Sequence, residues 1–541
     1  MWERESTRRE FIKLAAMVAT SFSLGCSSNK LAREVKENGK NPKDYPVVVI
    51  GAGLGGLSSA LYLSKAGFPV TVLEQHNIPG GYATAFRRGD YYFDVSLHFF
   101  GIGEDIYKEL GIDDKVERIP LERTIRIISK DKDVLIAQTN SKEMIEALCK
   151  SYPKEKDGII QYYQHCFDVF EELKKFSKKV ETGSISLELF PAQFPKMWNL
   201  RDMSYAEFLD KYIKDVETKS ALSRGCAIIG LPPSKASAFM AVVLVGSLLN
   251  SKTYYFRSRS QDFSNALADV IKENNGNLIY GKAVGKIITE NDSITGVCTE
   301  DEEVYPAKIV VSNANAPDTF GRFLSHSKTS ASYMNRLSKF KPSISSFIVW
   351  LGLEGELRGK IQGHSILLDS GLDIETDFQN YLNCDADKFP IVIAMYDNYF
   401  KGYSKPGTST ITIMALSGYE PWRRFERDYF LGNKKQYYQQ KERIAKTMIK
   451  RVEEKVIPGL SSMINVMESS TPLTNMRFTK NPEGAIYGYP CSVDNCFTNR
   501  IENSTPIKGL YLSSGWGKYV GSYTGGIMNG RDAFRQIMKD I

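Results

Sequence analysis

The chain of 541 residues has a mass of 60.9 kDa, which is too large for one small core, so two sequential or interleaved domains are expected. Hydrophobic residues make up 42% and charged residues 25%, as in ordinary globular proteins and unlike low-complexity chains. The net charge of +7 is modest and no nucleic-acid-binding motif accompanies it, so the sequence predicts no nucleic-acid partner.

The N-terminal segment resembles a twin-arginine export signal. Residues 7–13 read Thr-Arg-Arg-Glu-Phe-Ile-Lys, close to the pattern S/T-R-R-x-F-L-K, and the apolar run over 14–25 is too short to span a bilayer. Residues 23–26 resemble a lipoprotein cleavage box, which leaves two alternatives: lipidation of Cys26, or an ordinary signal or uncleaved anchor. The signal predicts an exported protein, periplasmic or membrane-anchored, and this route carries proteins already folded around their cofactors.

A polar linker and a βαβ unit come next. Residues 27–44 are polar and charged, as expected of a solvated tether. Val47–Ile50 is a β-branched run typical of a buried parallel strand, and residues 58–66 show apolar residues at helical spacing. Residues 70–73 form a second predicted strand, which closes the unit.

The turn between the first strand and the helix carries a GxGxxG fingerprint. Gly51 permits the tight turn, Gly53 lets backbone amides approach a pyrophosphate, and Gly56 allows the helix and strand to pack closely. The helix N-terminus supplies positive potential to the phosphates. Glu74, after the second strand, is placed to accept hydrogen bonds from both ribose hydroxyls of an adenosine and would repel a 2′-phosphate. The unit therefore predicts a dinucleotide site that disfavours NADP.

Further helices and strands are predicted toward the C-terminus. Residues 237–250 contain a long apolar stretch whose length favours a core helix over a membrane segment. Strand-like runs alternate with loops over 341–418. The other helical patterns are 141–176 with a break near Pro153, 204–222, 263–273, 443–456 and 525–539, and the other short strands are 278–280, 285–289, 294–298, 309–312 and 509–512.

Several motifs carry a resemblance to a known family. A double glycine at 80–81 follows the acidic residue, and a basic pair at 87–88 precedes Phe93 and Asp94. Further similar stretches are 230–234, 274–277, 283–287, 310–314 and 507–531. On these residues the chain, from Tyr45 to its end, resembles the phytoene desaturase, carotenoid isomerase and retinol saturase family of FAD-dependent oxidoreductases.

The resemblance implies FAD as the cofactor. In the family the first glycines and the acid bind the ADP part, the double glycine lies along the flavin side, a valine meets the adenine through its backbone, and a C-terminal motif closes the flavin site. The cofactor-binding residues implied for this chain are Gly51, Ala52, Gly53, Gly55, Gly56, Leu57, Glu74, Gln75, Gly80, Gly81, Tyr82, Ala83, Val284, Ser514, Gly515, Thr524 and Gly525. No catalytic residue is assigned, because His98, though placed where a residue could approach the flavin, is a lone histidine of the kind that is more often structural. No metal site is assigned, because the one close cysteine pair, Cys491 and Cys496, lacks a typical zinc spacing and the five histidines do not cluster beside it. A disulfide between these two cysteines stays open for an exported protein.

The chain departs from the family pattern at three places. Ser514 stands where members often have glycine, and the loop 516–523 is less glycine-rich. Residues 256–260, Phe-Arg-Ser-Arg-Ser, replace a proline–glycine element before the long helix. These departures leave the expected fold intact and leave the substrate open.

Flavin chemistry sets expectations for the C-terminal segment. A flavin takes or gives a hydride at N5, which leaves negative charge near N1. A helix N-terminus at 524–526 would point amide donors at that charge. Trp516, Tyr519 and Tyr523 either form an aromatic wall beside the ring or pack within the C-terminal loop, and the sequence leaves both alternatives open.

The expected fold class is α/β, with a Rossmann-like FAD-binding domain interleaved with a mixed α+β substrate domain. The expected order is a signal at 1–26, a linker at 27–44, FAD-binding segments at 45–100, 266–325 and 481–541, a helical substrate or cap region at 101–265, and substrate-domain strands and helices at 326–480.

The predicted function is desaturation, saturation or isomerisation of a carbon–carbon double bond in a lipophilic polyene or isoprenoid. The alternatives are a flavin amine oxidase or protoporphyrinogen oxidase-like enzyme, and a flavin-carrying electron-transfer protein without a substrate pocket. A long apolar tunnel ending at N5 would support the first, an aromatic cage with a rigid polar residue the second, and a closed flavin face the third. The expected electron partner is a membrane quinone, a redox protein or oxygen, with the tether holding the protein near lipid.

Overall fold

The computed structural model describes most of the chain from residue 40 onward. The predictions on Arg8, Arg9, Cys26 and His98 concern residues outside the described part. The described residues are 12, 15, 40–96, 104–121, 123–129, 132–137, 140–181, 184, 188–224, 229–250, 254–371, 373–398, 400–495 and 500–541.

Strands and helices are interspersed along the described residues. The strands are β1 (Val47–Ile50), β2 (Val70–Glu74), β3 (Ala85–Arg88), β4 (Tyr91–Asp94), β5 (Arg118–Pro120), β6 (Arg123–Ile128), β7 (Asp133–Ala137), β8 (Tyr254–Phe256), β9 (Asn277–Tyr280), β10 (Val284–Glu290), β11 (Ser293–Thr299), β12 (Val304–Pro306), β13 (Ile309–Ser312), β14 (Ser345–Glu354), β15 (Ser365–Leu368), β16 (Ile391–Ala394), β17 (Thr408–Ser417), β18 (Ile464–Ser470) and β19 (Leu510–Leu512). The α-helices are α1 (Leu54–Lys65), α2 (Glu104–Leu110), α3 (Ser141–Ser151), α4 (Lys156–Glu181), α5 (Phe190–Gln193), α6 (Pro195–Trp198), α7 (Tyr205–Asp210), α8 (Val216–Ser223), α9 (Ala238–Asn250), α10 (Ser260–Glu273), α11 (Lys328–Leu337), α12 (Ile374–Leu382), α13 (Glu420–Phe430), α14 (Lys435–Lys455), α15 (Leu460–Met463), α16 (Pro472–Thr479) and α17 (Tyr523–Asp540).

A five-stranded parallel sheet forms the centre of the half that carries the glycine-rich turn, in the order β19–β13–β1–β2–β9. Successive side chains of β1 point to opposite faces, so Val47 and Val49 join the core formed with α1, α10 and α17, whereas Val48 and Ile50 join the core beside the three-stranded β10–β11–β12 sheet. Burial on both faces explains the β-branched run. The sheet draws strands from three separate stretches of the chain, which confirms the interleaved Rossmann-like fold class.

A seven-stranded mixed sheet forms the second half, in the order β18–β14–β17–β16–β15–β6–β7. Its longest pair joins β14 and β17 in antiparallel register from Ser345 opposite Ser417 to Glu354 opposite Thr408. Side chains such as Phe347 on one face of β14 share a core with α13 and α14. The opposite face of the sheet is therefore available to line a cavity.

Strands β6 and β7 were not predicted, because they lie in the stretch expected to be helical. β6 pairs in parallel with β15 and antiparallel with β7. Arg126 of β6 forms an ion pair with Asp133 of β7 at 2.5 Å. Because these two strands carry charged side chains, their sequence lacks the apolar pattern of a buried strand. The neighbouring residues Ile125 and Ile127 pack against the interior instead. The domain boundaries inferred from the sequence stay a prediction.

Several predicted helices differ in extent from the observed ones. α1 begins at Leu54 rather than at residue 58, because the glycine-rich turn itself provides the first helical turn. The single helix expected over 204–222 is two helices, α7 and α8. α14 begins at Lys435, upstream of the expected residue 443, since Tyr437 already packs into the same core as Ile444.

The segment that replaces the family's proline–glycine element adopts a backbone conformation that favours glycine. Arg259 has φ +87° just before α10. Its guanidinium lies 3.7 Å from the ring centroid of Tyr403 and 4.4 Å from that of Tyr92, and Nη2 donates to the Tyr403 carbonyl at 2.7 Å. The next residue, Ser260, donates its backbone N–H to the buried carboxylate of Asp94 at 3.0 Å. Side-chain contacts thus hold a conformation that glycine would adopt without them.

Candidate active site

The glycine-rich turn after β1 is shaped for close approach of backbone groups. Gly51 has φ +90°, and no side chain caps the N-terminus of α1 at Gly53. A Cβ atom on Gly55 would lie 1.7 Å from the Ser513 carbonyl oxygen, so this position has no room for a side chain. The first amide groups of α1 have no carbonyl partner within the helix, which makes this end of the helix suited to an anion such as a pyrophosphate.

Glu74 ties the turn to the end of β2. Its Oε2 accepts a hydrogen bond from the Ala52 amide at 2.6 Å, and its Oε1 accepts one from the His76 amide at 2.9 Å. The residue is 7% exposed and lines the groove beside the turn. Each carboxylate oxygen has a second acceptor site, so the carboxylate can hold the turn and still accept from a ribose hydroxyl.

The double glycine lies against the first turn. Gly80 donates its amide to the Ala52 carbonyl at 2.7 Å, and a Cβ atom on Gly80 would lie 2.4 Å from the Ala83 carbonyl oxygen. Burial raises the pKa of the neighbouring Tyr82 from its usual value near 10 to about 12, so its phenol stays neutral even in alkaline solution. The two glycine turns therefore form one continuous wall of backbone groups.

The C-terminal segment places a second helix N-terminus at the same groove. Ser522 caps α17, because its side chain accepts from the Gly525 amide at 2.8 Å. Trp516 packs edge-on against Tyr489 and donates Nε1 to the Asn481 side chain at 2.9 Å, and Tyr523 packs on the ring of Phe263. Trp516, Tyr519 and Tyr523 border the cavity as well, so packing in the loop and lining the site both occur.

One cavity of about 1510 Å³ joins these features. All of the predicted cofactor-binding residues line it except Ala52, Gly56 and Leu57, which lie behind the turn. Their contact with a cofactor stays a prediction. Asn313 also lines the cavity, with its side chain against Gly51 and Gly53. It lies in the family-like stretch 310–314, directly after β13, but is not among the cofactor-binding residues predicted from the sequence.

Beyond the groove beside the glycine-rich turns, the cavity crosses one face of the seven-stranded sheet. Strand register aligns one side chain from each of six neighbouring strands, and every one of them lines the cavity. At a spacing of about 4.8 Å per strand, this row spans roughly 24 Å. In sheet order the row is Ser470, Ile348, Met414, Val392, Leu367 and Ile127.

Helix α9 supplies a further wall of the same cavity. Seven residues of the helix line the cavity, and five of them, at spacings of three and four residues from Met240, lie on one side of the helix; the seven are Met240, Val243, Leu244, Val245, Ser247, Leu248 and Leu249. Other faces of α9 pack in the helical core, where Val242 is fully buried. We call the part of the cavity that is lined by α9 and the sheet row the apolar chamber. The sequence predicted a core helix here, and one side of that helix is exposed to the chamber.

Comparisons with known proteins agree with this geometry. A family model described as an NAD(P)-binding Rossmann-like domain matches residues 49–110. The prolycopene isomerase of Arabidopsis thaliana is 26% identical over 525 residues, which cover 93% of this chain and 84% of the relative. The all-trans-retinol 13,14-reductase of Danio rerio is 25% identical over 517 residues, which cover 90% of this chain and 84% of the relative.

The chain is an oxidoreductase-type enzyme homologous to both of these relatives. Solved structures share its fold. A putrescine oxidase variant matches with a TM-score of 0.63 at 12% identity, covering 92% of this chain and 99% of that one. An oxidoreductase from Methanosarcina mazei matches with a TM-score of 0.59 at 18% identity, covering 91% and 100%.

Proposed function

We propose that the enzyme uses FAD to desaturate, saturate or isomerise a carbon–carbon double bond of an apolar polyene or isoprenoid. The observation that carries the proposal is the apolar chamber, which continues directly from a dinucleotide groove. The relatives named for prolycopene and for all-trans-retinol, which cover most of the chain, support the same class of substrate.

The protein's own groups have defined roles in this proposal. Amides at the start of α1 bind the pyrophosphate, Glu74 accepts from the adenosine ribose, and the backbone of Val284 meets the adenine. The N-terminal end of α17, with its positive dipole, would stabilise negative charge on the flavin ring. When bound, the flavin supplies hydride exchange at N5. The apolar chamber orients an extended substrate and excludes water from it.

The two alternatives fit the site less well. The putrescine oxidase likeness at 12% identity is a likeness of fold. The row that crosses the chamber consists of aliphatic or thioether side chains apart from Ser470, which suits a hydrocarbon better than an amine. An electron-transfer protein without a substrate has no use for an apolar chamber of this length.

Extraction of the purified holoprotein tests the substrate class. Lipids extracted from the protein and analysed by mass spectrometry are expected to include a polyene or isoprenoid in near-stoichiometric amount, because the chamber shields it from water. Recovery of only common membrane phospholipids, in the same proportion as from an unrelated protein purified in parallel, would count against the proposal.

Export through the twin-arginine route remains our proposal for localisation. Replacing Arg8 and Arg9 by lysine keeps the charge but removes the arginine pair, so the precursor is expected to accumulate in the cytoplasm with its flavin bound. Normal export of the double-lysine variant would refute the signal. Incorporation of labelled palmitate that disappears in Cys26→Ser would establish lipidation.

We further propose that a quinone, a redox protein or oxygen, and not a soluble nicotinamide, exchanges electrons with the flavin. Export would place the enzyme where no NAD(P)H pool is supplied, and the sequence has a single clear dinucleotide fingerprint. Anaerobic stopped-flow measurements should show reaction of the bound flavin with a quinone or quinol analogue. Reduction by NADH or NADPH at rates that match turnover would show the opposite.

A further inference from the structure

A turn between two helices exposes large apolar side chains in a basic setting. Phe430 ends α13 and is 50% exposed, and Leu431, the next residue, is 74% exposed. Gly432 and Asn433 complete the turn, and α14 begins at Lys435. The transfer of two such exposed apolar side chains from water into an apolar phase lowers the free energy, because it removes their apolar surface from water.

The surroundings of the turn carry excess positive charge. Between residues 420 and 441 the chain has six cationic and three acidic side chains. Arg423, Arg427 and Lys435 are exposed. Lys434 lies over the ring of Tyr429 with its Nζ 4.4 Å from the ring centroid. Basic side chains around an exposed apolar tip match a bilayer surface that contains anionic lipids.

The same surface reaches the cavity. Tyr429 contacts Phe430 and Tyr437 through ring centroid distances of 5.2 and 4.7 Å, and Tyr437 contacts Tyr438 at 5.3 Å. Lys434 and Tyr438 line the cavity, and Tyr438 is 52% exposed, so the cavity wall extends to the protein surface beside the turn. A bilayer in contact with the turn would therefore lie next to an opening of the cavity.

We propose that Phe430, Leu431, Lys434, Lys435 and Tyr438 form a docking surface for a bilayer containing anionic lipids, from which the enzyme takes its substrate. The two apolar residues enter the bilayer interface and the lysines pair with lipid headgroups. The surface belongs to the folded body and acts independently of any N-terminal signal or lipid. Among the described residues no helix is long and apolar enough to span a membrane. The route for the substrate rests on the proposed function, whereas lipid binding does not.

Cosedimentation with vesicles tests this surface in the full chain carrying Cys26→Ser, so that no acyl chain contributes. The protein should bind phosphatidylcholine vesicles that contain phosphatidylglycerol, and bind pure phosphatidylcholine vesicles much more weakly. Phe430→Ser with Leu431→Ser should weaken binding at least about tenfold. Lys434→Gln with Lys435→Gln should weaken it about fivefold per lysine, and added salt should have the same effect.

The matched control is Val216→Ser with Val304→Ser, which removes two apolar side chains that are 60% and 56% exposed elsewhere. This variant should bind vesicles as the parent does. Equal weakening in the control, or vesicle binding unchanged by the Phe430 and Leu431 substitutions, would overturn the proposal. So would failure of the parent protein to bind vesicles that contain phosphatidylglycerol, and tight binding to an acidic redox protein instead would identify the surface as a protein interface. Vesicle binding is measured without turnover, so a failure to bind would refute the docking surface without refuting the proposed reaction on a polyene.

Discussion

Replacing Glu74 by alanine is expected to weaken FAD binding roughly a hundredfold, so that the variant is purified largely without flavin. Two hydrogen bonds from ribose hydroxyls to a carboxylate account for a loss of this size. The Ala52 amide, which donates to Glu74 at 2.6 Å, also loses its partner and loosens the turn. Flavin absorbance per protein and titration of the apoprotein with FAD measure the effect.

Two further variants separate cofactor binding from folding. Glu290→Ala removes an exposed carboxylate at the end of β10 and should retain flavin like the parent. Glu74→Gln keeps one acceptor oxygen and should give an intermediate loss. An unfolding temperature of the apoprotein close to the parent's would show that the fold survives. Full flavin content in Glu74→Ala, or stoichiometric NAD and no flavin in the unmodified protein, would refute the cofactor assignment.

A tryptophan in place of Val392 should lower turnover of a long polyene about a hundredfold or more while the flavin stays bound. Val392 lies in the interior of the row that crosses the apolar chamber, between Met414 and Leu367. An indole there would keep an extended substrate from reaching its productive position, and small displacements already cost about this much. Turnover should be measured with a long polyene and with a shortened one.

The shortened substrate provides the internal comparison. A molecule that does not extend past Val392 should lose much less turnover than the long one, because the rest of the chamber is unchanged. Val304→Trp makes the same substitution on the exposed strand β12, where the side chain is 56% exposed, and should leave both rates alone. Equal loss with both substrates would mean that the indole damages the fold or the flavin site rather than blocking the chamber.

The nucleotide half of the fold could be predicted because its signals are local. The β-branched run Val47–Ile50, the glycine turn and Glu74 lie within thirty residues of one another in sequence. Each feature restricts the residue type at its own position; Gly55, for example, must be glycine because there is no space for a Cβ atom. The structure accordingly has the strand, the turn and the parallel sheet where the pattern placed them.

The apolar chamber could not be predicted, because its walls are assembled from distant residues. Ile127, Val392 and Ile348 lie in one row only because β6, β16 and β14 belong to one sheet. β6 carries arginines that obscured its strand pattern. The sequence of α9 is mostly apolar on all sides, so it does not indicate which face of the helix lines the chamber.

The most direct test of the proposed chemistry is a single turnover under anaerobic conditions. The flavin-loaded protein, in oxidised and in reduced form, is mixed with a panel of polyenes and a panel of amines, and the products are separated by chromatography. A polyene is expected to be converted to a product with a changed number or geometry of double bonds, and amines are expected not to reduce the flavin. Rapid flavin reduction by an amine, with every polyene recovered unchanged, would contradict it.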